Sequence, residues 1–125
     1  MKNGPISPRL HGLLDYALVA GLLALPTAFG FSKKVRRLYA AEGAALLVYV
    51  ALTDQPLALK PLIPFRVHGK IDPFNVANFA VHSLLKPFRK DPRAQAFNAV
   101  FTLVSGATVA LTDWDGPTKA HPAGQ

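Results

Sequence analysis

The chain has no cysteine, a single methionine and a single tryptophan in 125 residues, and only 7 of those residues are Asp or Glu. The lack of cysteine excludes disulfides, thiolate nucleophiles and cysteine-ligated metal sites. Charge of either sign is scarce. Asp, Glu, Lys and Arg make up 17% of the chain while apolar residues make up 50%, against roughly 25% charged in a typical soluble domain. This balance leans toward a membrane. Also missing are a glycine-rich phosphate loop, a His-Glu-x-x-His pair and a Ser or Thr in a nucleophile signature. An enzyme is therefore the less expected class.

What is present is repetition. Arg9-Leu10-His11-Gly12-Leu13-Leu14-Asp15 returns as Arg66-Val67-His68-Gly69-Lys70-Ile71-Asp72, 57 residues later. Val50-Ala51-Leu52-Thr53-Asp54 returns unchanged as Val109-Ala110-Leu111-Thr112-Asp113, 59 residues later. Two matches at nearly one offset describe a duplicated unit of about sixty residues, too small for either half to stand alone. The expected organisation is one membrane domain over residues 1–125. Repeat one covers about 6–54, a proline-rich linker about 55–63, repeat two about 64–113 and a C-terminal tail 114–125, with a turn at Trp114-Asp115-Gly116-Pro117 and disorder expected in the last residues.

Each repeat reads as a helix hairpin. Segment one runs from Pro8 to Phe31, with Ser7 as N-cap and Pro8 at the first helical position. Its length of about 36 Å suffices to cross a hydrocarbon core, with Pro26 kinking the far end. Its apolar stretch also resembles a secretory signal, but no small-residue cleavage site follows, and Pro26, Phe29 and Phe31 stand where one would be. Segment two, about Leu38 to Thr53, is shorter. Segment three, Pro64 to about Leu85, meets Pro73 directly after Asp72, which calls for a kink or a fresh helix start. Segment four runs from about Ala94 to Thr112. The expectation is all-α: a four-transmembrane-helix bundle built from two tandem helix-hairpin repeats.

The net charge of +7 is placed unevenly. Lys33, Lys34, Arg36 and Arg37, then Lys86, Arg89, Lys90 and Arg93, fill the two loops inside the repeats and hold eight of the 14 basic residues. By the positive-inside rule these loops face the cytoplasm, both termini lie outside, and the setting is a bacterial inner membrane. The basic runs are short and flanked by apolar spans with few aromatics free to stack. They suit anionic lipid headgroups, and nucleic acid is not an expected partner.

In that topology both repeated phrases reach one rim. A structural role comes first: Arg9 and Arg66 form a polar clasp with Asp54 and Asp113, two carboxylates at helix C-termini that need a cation, while Gly12 and Gly69 permit close helix approach. A chemical role stands beside it. His11, Asp15, His68 and Asp72 offer two imidazoles and two carboxylates, a ligand set for a divalent metal such as zinc, manganese or iron. Within repeat two, Asn75, Asn78 and His82 continue a polar stripe below Asp72, and Asn98, Thr102 and Ser105 form another on segment four. The stripes are either interhelical hydrogen bonds or a wet path for protons, with His82 and Glu42 as its titratable groups.

The duplicated helix pair, the His-x-x-x-Asp at the helix starts and the short length resemble the small bacterial membrane proteins of the SPW-repeat family. The likeness covers most of the chain, although Ser-Pro-Trp itself is absent; Ser7-Pro8-Arg9 and Leu25-Pro26-Thr27 are the nearest fragments. It implies a four-span fold and carries over no functional residue. The leading expectation is a structural or accessory component that binds another membrane protein, a second copy of itself or lipid. An oligomeric proton or small-ion conductor is the alternative, and a metal-dependent membrane enzyme comes third.

Overall fold

A computed structural model describes residues 4–122. Among them are five α-helices, one short 3-10 turn and no strand: α1 (Pro8–Ala28), α2 (Lys33–Ala51), α3 (Phe65–Val81), the turn His82–Leu84, α4 (Lys86–Arg89) and α5 (Pro92–Leu111). The all-α class follows. α1 and α5 are each long and apolar enough to cross a membrane, and only 28% and 22% of their most apolar stretches are buried within the chain. The core helix of a soluble protein would be mostly covered. α2 and α3 are not long and apolar enough in the same sense: α2 carries the first basic run, and α3 has only 17 residues and contains Arg66, Lys70 and Asp72.

Local chemistry explains where these helices begin. The Ser7 hydroxyl accepts from the Leu10 N–H at 3.1 Å, with Pro8 behind it, as expected. α1 ends at Ala28, and Gly30 turns the chain with φ of 68°, a value that favours glycine. Ser32 then caps α2 through the Val35 N–H. Lys33 to Arg37 are therefore the first turns of a helix, and α2 has 19 residues where the sequence reading starts it at Leu38. α3 passes through Pro73 without restarting. The Tyr49 hydroxyl supports that stretch from outside the helix by donating to the His68 carbonyl at 3.1 Å. The second basic loop contains α4, after which Asp91 accepts from the Arg93 and Ala94 N–H groups to start α5.

α1 packs chiefly on α2 and α3 on α5, which are the two expected hairpins, and α1 also touches α5 across the repeats. The aromatic core lies toward the basic end, where Leu22, Phe31, Tyr39, Phe79, Phe88 and Phe101 are buried together. At its centre the Tyr39 hydroxyl donates to Asn98 Oδ1 at 2.7 Å.

The opposite end, the rim, is stitched in two equivalent ways. Ile6 N–H donates to the Leu111 carbonyl and Asp113 N–H to the Ile6 carbonyl, while Ile63 N–H donates to Leu52 and Asp54 N–H to Ile63. Each stitch joins one repeat to the other. Ile63 thus takes the same place in repeat two as Ile6 in repeat one, just inside the expected linker. The tail differs from its expected disorder as far as His121: Thr118 and Ala120 bind the Asp54 carboxylate at 2.7 and 2.8 Å, and Lys119 donates to the Ala58 carbonyl at 2.7 Å. Residues 123–125 lie outside the described residues.

Candidate metal centre

The start of α1 and the start of α3 meet at the rim. His11 and Asp15 sit four apart on α1, and His68 and Asp72 four apart on α3, so each pair projects from a single helix face. The two imidazoles are 5.3 Å apart between ring centroids and nearly perpendicular. Both histidines are 1% exposed. The expected register therefore holds in both copies, Pro73 notwithstanding.

Two threonines set the tautomers. Thr53 Oγ1 donates to the Tyr49 carbonyl, and Thr112 Oγ1 to the Thr108 carbonyl. A hydroxyl has one proton, so each oxygen receives its remaining bond, at 2.8 Å, from a ring Nδ1–H: His68 on Thr53 and His11 on Thr112. The pairing crosses the duplication. Each repeat supplies the threonine that orients the other repeat's histidine, and both Nε2 atoms turn toward the carboxylates.

The Nε2 atoms and carboxylate oxygens alternate around a small ring. His11 Nε2 lies 3.1 Å from Asp15 Oδ2 and 3.4 Å from Asp72 Oδ2; His68 Nε2 lies 3.3 and 3.0 Å from the same two atoms. One ligand atom from each of the four residues falls within 4.8 Å of the other three. Close as they are, neither Nε2 makes a well-aligned hydrogen bond among the described residues. Each nitrogen stands between the two carboxylate oxygens. Ligands about 2.0–2.1 Å from a tetrahedral zinc ion stand about 3.3–3.4 Å apart, close to the four separations found. The single Tyr49 hydroxyl proton is shared between the His68 carbonyl and the carboxylate's other oxygen, Asp72 Oδ1, at 3.1 and 3.2 Å. Orienting partners of this kind accompany metal-bound His and Asp.

The rim closes over this cluster. Phe65 and Trp114 pack within 5.5 Å of the His11 ring centroid. Gly12 and Gly69 serve this lid and not helix contact as expected: Gln55 lies on Gly12, and a Cβ on Gly69 would stand 2.8 Å from the Trp114 ring. Beneath the cluster a cavity of about 50 Å³ is bounded by all four long helices, with Asp15, Asp72, Asn75, Ser105 and Thr108 as its polar lining.

The expected arginine clasp is not formed. Arg66 pairs with Asp115, and Arg9 has no ion-pair partner among the described residues. Asp54 is held by the tail through Thr118, Ala120 and His121, and Asp113 accepts from the Asp115 N–H. Burial pushes the Asp54 carboxyl pKa up, but these bonds outweigh it and hold the group below the usual carboxylate range. The reason is distance in sequence: the tail after Asp113 folds back 64 residues to Asp54, which the helix-dipole argument did not contain.

The two stripes do not face each other as expected. Asn78 Nδ2 donates to Glu42 Oε2 at 2.7 Å and His82 Nε2 lies 2.8 Å from both Glu42 oxygens, so α3 turns its stripe toward α2. Asn75 Nδ2 comes within 3.5 Å of Asp72. Asn98 meets Tyr39 and the Phe79 carbonyl, while the Thr102 and Ser105 hydroxyls have no hydrogen-bond partner among the described residues. Tyr49 is the functional residue that the sequence did not single out; Thr53 and Thr112 are brought to the rim by the repeat, and their bonds to the histidines come from the structure. The exact repeat of Val-Ala-Leu-Thr-Asp carried the signal for the threonines. Searches against protein-family models, curated proteins and solved structures find no match to the chain.

Proposed function

We propose that this protein is a small integral membrane protein whose two repeats are locked together at one rim by a divalent transition-metal ion on His11, Asp15, His68 and Asp72. The observation that carries the reading is the directed pair of imidazoles: two cross-repeat threonines hold Nδ1–H, and both Nε2 atoms stand 3.0–3.4 Å from two carboxylate oxygens, with all four atoms within 4.8 Å of one another. A divalent ion with two neutral imidazoles and two carboxylates is electrically neutral, which suits a buried site. Two imidazoles with two carboxylates are a donor set that zinc takes, with iron and manganese as the alternatives.

In this reading the ion is structural. Two neighbouring ligands on each of two helices let it tie the hairpins together where the aromatic core does not reach. The four long helices span the bilayer with the basic segments on the cytoplasmic side, and the protein acts as an accessory component beside another membrane protein or lipid. α1 and α5 are apolar enough for this by themselves, and α2 and α3 cross as partners that hide their polar residues in the bundle. The test is metal content after purification in detergent and dialysis against zinc. One equivalent per chain is expected. Binding that survives replacement of both histidines would refute the assignment.

A further inference from the structure

The duplication creates two seams between the repeats, and their chemistry has parted. On the α2/α3 seam stand Glu42, Asn78 and His82. By the offsets of 57 and 59 residues their counterparts are Phe101, Gly21 and Leu25, and those three line a groove on the α1/α5 seam with no charged residue in it. One copy of the seam keeps an apolar surface for lipid. The other has acquired a carboxylate, an amide and an imidazole at corresponding positions.

These groups are tightly organised. Both Glu42 oxygens are 2.8 Å from His82 Nε2, and Asn78 adds a bond at 2.7 Å. The side chains of His82 and Glu42 are only 6% and 18% exposed. No Lys or Arg pairs with Glu42 among the described residues, and the neighbouring Tyr39 hydroxyl is committed to Asn98. Rings of Tyr39, Phe79 and Phe88 surround the imidazole. Ionisable side chains at such depth in a membrane bundle are expensive and mark ion or proton pathways. Above them Asn75 lines the cavity beneath the rim cluster, whose volume of about 50 Å³ admits water.

We propose that Glu42, Asn78 and His82 form a proton-relay station on the α2/α3 seam, moving protons between the rim and the basic-loop end of the bundle. At rest the His82 Nε2–H donates to the Glu42 carboxylate, while Asn78 holds Oε2 and leaves Oε1 to receive a proton. A proton taken up at His82 Nδ1 from the Lys86 end lets the Nε2 proton pass to Glu42, and the carboxylic acid then gives it up to water toward Asn75. Ring rotation restores the Nε2–H tautomer. Only O–H and N–H bonds are made and broken, and no electron acceptor is needed. The proposal rests on the membrane reading above but not on the metal.

The experiment is proton flux into liposomes that contain the full-length protein and a pH-sensitive dye, driven by a potassium diffusion potential. The wild type should acidify the lumen several-fold faster than empty liposomes, and Glu42→Gln should return the rate to the empty-liposome value. Leu25→Met, on the apolar seam, should conduct as wild type. Glu42→Gln keeps an acceptor for Asn78, and helical circular dichroism with monodisperse elution in detergent reports whether it folds; if it does not, His82→Gln carries the same expectation. Flux no faster than in empty liposomes, or folded Glu42→Gln or His82→Gln conducting as wild type, overturns the proposal. Zinc binding without flux sinks the relay alone, flux without zinc binding sinks the metal reading alone, and a protein that stays monodisperse without detergent sinks the membrane reading beneath both.

Discussion

The rim and the seams below it come from the same duplication and have diverged to different degrees. At the rim the two copies still do the same work: His11 with Thr112 mirrors His68 with Thr53, Asp15 mirrors Asp72, and the Ile6 and Ile63 stitches match bond for bond. Along the seams the copies share only backbone, and Glu42, Asn78 and His82 replace Phe101, Gly21 and Leu25. The rim holds one site to which both copies contribute the same residues, so neither copy is free to change alone. A seam belongs to one side of the bundle, and each is free to take its own chemistry.

Breaking the rim should have the largest effect. His68→Ala leaves two buried carboxylates with one imidazole, and removing one partner from a buried charged cluster costs about 3–5 kcal/mol. The expected result is loss of stoichiometric zinc and a lower unfolding temperature in detergent, and His11→Ala should match it if the two copies are equivalent. Gly69→Ala tests the lid: a methyl 2.8 Å from the rigid Trp114 ring should cost about 1–3 kcal/mol by overpacking. Gly12→Ala puts a methyl against the buried Gln55 amide, which is tied to the Leu57 N–H and the Val50 carbonyl, and should cost a similar amount, so a loss at only one of the two glycines would contradict the description of the lid.

Removing the orienting hydroxyls sharpens the comparison further. Thr53→Val and Thr112→Val each leave an imidazole N–H buried without an acceptor, at about 1–3 kcal/mol, and should weaken zinc affinity by similar factors. Tyr49→Phe has no counterpart, because Thr108 stands at the equivalent position. It should lower affinity less than either threonine change, and a larger effect would show that the carboxylates and not the imidazoles are the more critically oriented.

The smallest expected effect concerns the tail. The folded Asp54 carboxyl has its pKa lowered, so its contribution is fully present above the ordinary carboxylate value of about 3.9 and is lost as pH falls through the folded value. Below about pH 4 the strap Thr118–His121 should loosen while the helices stay intact. Hydrogen exchange at the Ala120 amide reports this, and an amide equally protected in Asp54→Asn at neutral pH would show that the carboxylate does not hold the strap.

The sequence revealed the parts that repeat. His11, Asp15, His68 and Asp72 were legible because the same phrase appears twice at helical spacing, and their convergence follows from two hairpins arriving at one rim. The caps at Ser7 and Pro8 were legible as local chemistry. What escaped was non-local. Arg66 chose Asp115 and Asp54 chose Thr118 and Ala120 because the chain beyond Asp113 doubles back, and no spacing between helices encodes that return. The basic run was misplaced because Lys33 to Arg37 look like a loop until Ser32 is seen to cap them. The Glu42 contact was missed because the stripe on α3 was matched with its hairpin partner, α5, and not with α2 across the seam.

The central claim is that His11, Asp15, His68 and Asp72 hold one metal ion between the repeats. X-ray absorption spectroscopy at the zinc edge, on protein loaded with one equivalent of zinc, tests it most directly. The account predicts a four-coordinate ion with two imidazole nitrogens and two carboxylate oxygens at about 2.0–2.2 Å. A shell without two imidazoles, or one unchanged when both histidines are replaced, would contradict it.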